Sequence, residues 1–244
     1  MRLVKRIPGS AGRGFSLIEL SIVLLIVALL MGGAMMTLSA QMEQRSFEET
    51  QRRLDAARDA LLAFAIINGR LPCPAAPGAT GDESPAGGAC TNWYNGFLPA
   101  RSIGFQPTDA QGYGLDSYSN RIRYATSNGV VAVAGPTASC NNANHFTNAG
   151  NLRLNGVSCR PSDLDICTTA ACAARVVSQN TVAFTVFSTG KNGALAPNPG
   201  DEAENTDNDA RFVLRPPSPD YDDITVIVPA GVVHSRLLAA GVLP

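Results

Sequence analysis

Only two histidines occur in the sequence, His145 and His234, without ligand spacing, and the six cysteines include no CxxC pair. A tetrahedral zinc centre has little to draw on here. No GxSxG stretch supplies a nucleophile elbow, and the P-loop and dinucleotide-binding glycine patterns are missing too. A non-enzymatic role is therefore the expectation. Basic residues are scarce once the first fourteen positions are set aside: Arg2, Lys5, Arg6 and Arg13 take four of the 19, leaving 15 against 20 acids. That balance offers no general attraction to phosphates, and no nucleic-acid partner is expected. Two further absences shape the chain: no charge from Leu20 to Met42, and no proline between Phe15 and Leu71.

The uncharged run is 23 residues long, and a helix needs about 20 to cross the hydrocarbon layer. The basic leader before it reads as the cytoplasmic flank, which puts the rest of the chain across the membrane. Glu19 stands at the start of the run, where an ionisable side chain is expensive and asks for a partner. Without proline the helix can run on to Ile67, roughly 80 Å in all. Its second half turns amphipathic: Phe47, Leu54 and Leu61 recur every seven residues, with Ala57, Phe64 and Ala65 beside them and charges on the other faces. Asn68-Gly69 ends it, and Pro72 and Pro74 forbid its continuation.

The leader MRLVKRIPGSAGRG followed by FSLIELSIVLLIVALL resembles the N-terminal signal of type IV pilins and of type II secretion pseudopilins. The resemblance implies cleavage after Gly14 by a prepilin peptidase, methylation of the new terminus Phe15, and an assembly role for Glu19. It implies other pilin or pseudopilin subunits as partners and single-pass anchoring in the inner membrane. The head would lie in the periplasm, or outside the cell on a surface pilus. Residues 1–14 are then a cleaved leader, 15–42 a membrane and assembly helix, 43–68 its amphipathic half, and 69–244 a globular head. Looser likeness to minor pilin and pseudopilin heads continues in ALLAFAIINGRLPCP, LDSYSNRIRYA, FSTGKNG and YDDITVIV. An α+β fold is expected from one long helix followed by strands able to pair as hairpins. The resemblance adds the picture of a lollipop, the helix's second half lying on an antiparallel sheet.

Within the head, Arg121–Thr126 and Val130–Ala134 read as a hairpin across Ser127-Asn128-Gly129. Thr169–Gln179 reads as a short helix, Thr181–Ser188 and Ile224–Val228 as strands, and Ser235–Ala240 as a closing helical turn, whereas Asn141–Ser162 carries no firm pattern. All six cysteines, Cys73, Cys90, Cys140, Cys159, Cys167 and Cys172, lie in this exported part, so disulfides are expected. Proximity suggests Cys73 with Cys90, Cys140 with Cys159, and Cys167 with Cys172.

Eight of the 20 acids crowd into residues 201–223. Oxygen donors at that density suit calcium, although the EF-hand spacing is absent and a solvated acidic loop is the simpler account. The resemblance adds that pseudopilin heads hold calcium in a loop just before their final strand. Candidate ligands are Asp201, Glu202, Glu204, Asp207, Asp222 and Asp223, in a site that runs from Ser188-Thr189-Gly190-Lys191-Asn192-Gly193 through Asp207 and is closed by Asp222-Asp223. The expected function is a structural subunit of a pilus-like or secretion filament. The alternative is a filament-displayed adhesin or substrate-binding module, which exposed aromatics grouped at Trp93, Tyr94 and Phe97 would favour.

Overall fold

The computed structural model describes residues 14, 16–129, 143–156, 161–193 and 200–243, the side chains of 31–40 excepted. Helix α1 runs unbroken from Leu17 to Asn68, 52 residues. It opens on a reciprocal cap: Glu19 N donates to Ser16 Oγ (3.2 Å) and Ser16 N donates to Glu19 Oε2 (2.9 Å). Two otherwise orphaned backbone donors are thereby satisfied. It closes as expected, with Gly69 in the left-handed region at φ +68°. Among the described residues no helix is long and apolar enough to cross a membrane, and residues 31–40, within the uncharged run, lie outside the described side chains. Two compact units divide between Arg45 and Ser46. In the first, the apolar side chains from Leu17 to Leu30 are exposed, Leu17 by 88%.

The larger unit, from Ser46 onward, is built on a four-stranded antiparallel sheet in the order β1 (Gly96–Phe97), β2 (Arg123–Thr126), β4 (Val182–Ser188), β6 (Ile224–Pro229). Side chains alternate across its two faces. One face, with Tyr124, Phe184, Val186 and Val228, packs on Leu54, Ala57, Leu61 and Ala65 of α1 and on Val233 and Leu237 of α5 (Ala230–Ala239). This is the stripe that the seven-residue spacing predicts. The other face, with Ala125, Val182 and Phe187, is covered by Leu164, Ile166 and Phe212 around a small parallel pair, β3 (Asp165–Cys167) with β5 (Arg211–Val213). The α+β expectation holds. Strand β4 is buried along its whole length because both edges and both faces are covered.

One local expectation changes, one falls outside the described residues, and one blank stretch gains an element. Thr169–Gln179 forms no helix: a disulfide ties Cys167 to Cys172, Cys172 is left-handed (φ 50°), and the chain folds back so that Arg175 bridges Cys167 and grips Asp165 at 2.7 Å. A clamp five residues long leaves no room for helical turns. Strand β2 has β1 and β4 as its neighbours, and the hairpin partner at 130–134 lies outside the described residues. After the one-turn α2 (Ala100–Ile103), the unread polar stretch contains α3 (Ala149–Asn155), capped by Asn148, whose side chain accepts from Gly150 N and Asn151 N.

Candidate functional site

Strands β4 and β6 run antiparallel with Ser188 opposite Ile224. The residues just after β4 and just before β6 must therefore share one end of the sheet. Onto that end folds α4 (Asp201–Glu204), turned in by Gly200 at φ +68°. The result gathers Glu202, Asp222 and Asp223, whose carboxylate oxygens lie within 4.8 Å of one another. Glu202 is 1% exposed and Asp223 2%.

Glu202 spends both carboxylate oxygens on the protein, Asp222 and Asp223 one each. Glu202 Oε2 accepts from Asn192 Nδ2 (2.8 Å), and its Oε1 accepts from Asp222 N (2.7 Å). Asp222 Oδ2 accepts from the amides of Lys191 (2.9 Å) and Asn192 (3.2 Å), and Asp223 Oδ2 from Asn205 Nδ2 (2.6 Å). Asn205 is itself held by Val213 N (2.7 Å). Gly190, at φ +62°, is required: a Cβ there would sit 2.2 Å from Asp222 Oδ1.

Three enclosed acceptors remain without any donor: Asn192 Oδ1, Asp222 Oδ1 and Asp223 Oδ1. Buried acceptors are nearly always satisfied. Burial pushes the Asp223 carboxyl up to about 7, and the neighbouring Glu202 and Asp222 add to the push against the Asn205 hydrogen bond. Asp222 is raised as well, first by burial. Water would satisfy the lone pairs but leave three carboxylates repelling one another. A hard divalent cation answers both demands, and all-oxygen ligation of this kind suits calcium. The residues present fit such an ion.

The six predicted ligands thus divide. Asp201 instead accepts from Ala170 N (2.8 Å) and faces Arg215 (3.4 Å). Glu204 and Asp207 fall with Asp209 in a second, more exposed group, where Arg211 pairs with Glu204 at 3.0 Å. Asn192 comes from the turn after β4 and Asn205 from the residue after α4, both within the stretch from Ser188 to Asp207. The sulfurs beside Asp165 belong to the Cys167–Cys172 disulfide and are no thiolate ligands.

Cys73 and Cys90 are joined with Cα atoms 5.3 Å apart, whereas Cys140 and Cys159 lie outside the described residues. Trp93, Tyr94 and Phe97 are only half-exposed. Tyr94 donates its hydroxyl to Asp163, and Phe97 lies under the guanidinium of Arg123 at 4.9 Å. The two histidines are core: His145 is fully buried and His234 2% exposed, with ring centroids 5.9 Å apart and Phe146 against both. Burial, and then His234, push the His145 imidazole down to about 4.

At the other end of the chain Gly14 is exposed, Phe15 lies outside the described residues, and Glu19 sits in the Ser16 cap. Residues 10–35 match the family model of the prokaryotic N-terminal methylation motif, the signal of type IV pilins and pseudopilins. No curated protein and no solved structure matches the chain.

Proposed function

We propose that this chain is a structural subunit of a filament of the type IV pilus or type II secretion kind. In this reading prepilin peptidase cuts after Gly14, Phe15 becomes the methylated terminus, and residues 15–42 anchor the subunit in the inner membrane until it assembles with other pilins. The observation that carries the reading is the methylation motif at residues 10–35. The 23-residue uncharged run behind Gly14 supports the anchor. The Glu202, Asp222 and Asp223 carboxylates, with Asn192, would hold a calcium-class cation. Bound there, the ion supplies neutralising charge and fixes the loop after β4; it performs no chemistry. Intact-mass analysis of the protein drawn from its own cell envelope tests the processing step. A mature chain beginning at N-methylated Phe15 supports the reading, and one that retains Arg2–Arg13, or is trimmed after Ala40, overturns it.

A further inference from the structure

Between the carboxylate cluster and helix α1 stands the loop from Leu115 to Asn120, hydrogen-bonded to the helix and to the 188–193 turn that holds Asp222. On the helix side Arg53 Nη1 donates to the carbonyls of Asp116 (2.8 Å) and Leu115 (3.3 Å). Ser117 Oγ donates to Ser46 O (2.6 Å) and meets Thr50 Oγ1 at 2.7 Å. Three successive turns of α1 thereby grip one short loop. The loop is stiffened from inside, where Asp116 Oδ1 accepts from the amides of Tyr118 (2.9 Å) and Asn120 (2.8 Å).

On the cation side the same loop holds the start of the 188–193 turn. Ser188 Oγ donates to Asp116 Oδ2 (2.5 Å) and accepts from Gly190 N (3.1 Å). Asn120 Nδ2 donates to Gly190 O (2.5 Å). The next two amides, of Lys191 and Asn192, are the ones that grip Asp222. Asp116 and Ser188 are both almost wholly buried, at 1% and 0% exposure. An internal hydrogen bond lost there leaves a polar group stranded, so the loop and the turn move together or not at all.

We infer that Asp116, Ser188 and Asn120 are positioning residues that couple occupancy of the cation cluster to the order of α1 between Ser46 and Arg53. This rests on the cation reading proposed above. A cation pinning Asp222 and Asn192 restricts the 188–193 turn. The turn restricts the Asp116 loop, and the loop restrains the first helical turns of the larger unit. By reciprocity, any loosening of Ser46–Arg53 weakens the cation site by the same factor.

Hydrogen exchange on the full chain in detergent, with calcium and with chelator, tests this alongside calcium binding by equilibrium dialysis. Calcium should slow exchange at residues 188–193 and also at 46–53, by about tenfold for a coupling of ordinary size. Ser188→Ala should still bind calcium, but about tenfold more weakly, and the response at 46–53 should vanish while that at 188–193 survives. Asn120→Ala, at a half-exposed position, should show the same split and serves if Ser188→Ala fails to fold. Calcium bound with 188–193 protected and 46–53 unchanged in the wild type would overturn the coupling and leave the site intact. No binding by dialysis would remove the cation reading and the coupling with it.

Discussion

His145 is a neutral imidazole held between Phe146, Asn155 and His234, with its Nε2 bonded to nothing. Charging it would strand a cation in the core, which is why its pKa falls to about 4. The unfolded chain takes up this proton near 6.5, so between there and 4 the unfolded state binds more protons than the folded one. The imidazole's contribution is whole above about 6.5 and is lost as pH falls towards 4. Asp223, with its folded pKa raised, titrates with the opposite sign, so the useful quantity is a difference between two chains that share it. Denaturant unfolding of wild type and His145→Phe in chelator should show the wild type losing about 2 kcal/mol more between pH 7 and 4.5. Equal losses would mean the imidazole is hydrated and titrates normally.

Helix α1 carries the clearest competition between two roles for one residue. Glu19 caps the helix through Ser16 N, an arrangement worth about 1 kcal/mol. In an assembled filament its charge would also answer the amine of Phe15 in a neighbouring subunit, since either charge alone in hydrocarbon costs several kcal/mol. Glutamine satisfies the cap but not the amine. Glu19→Ala and Glu19→Gln should therefore both be processed, and both should incorporate poorly into filaments purified from cells. Normal incorporation of Glu19→Gln would assign Glu19 to the cap alone. The Ser16-Leu17-Ile18-Glu19 spacing is itself a legible cap signature. The apolar run behind it drew the reading elsewhere.

At the scale of the molecule, the cation reading predicts that ligand binding and folding are linked. An ion that binds only the folded state at a hundredfold excess over its Kd stabilises it by about 2.7 kcal/mol. For a chain of this size that is a rise of several degrees in Tm. The full chain in detergent should melt several degrees higher in calcium than in chelator, and Asp222→Ala combined with Asp223→Ala should erase the difference. Identical wild-type melts with no calcium by elemental analysis would leave a solvated acidic loop. What the sequence determined alone was whatever is local or periodic. The charge-free run, the Asn68-Gly69 stop, the stripe of Leu54 and Leu61, the alternation of β4 and the signal around Gly14 each lie within a few turns of chain, where spacing alone sets which face is apolar. Tertiary structure decided the rest, because antiparallel pairing of β4 with β6 brings together residues far apart in sequence. Of the crowded acids, only Glu202, Asp222 and Asp223 meet where Ser188 lies opposite Ile224. Asn192 and the Asp116 loop join them, and His145 finds His234 across the core. None of those meetings has a period or a motif, since they follow from strand register and from which buried polar atoms must find a partner.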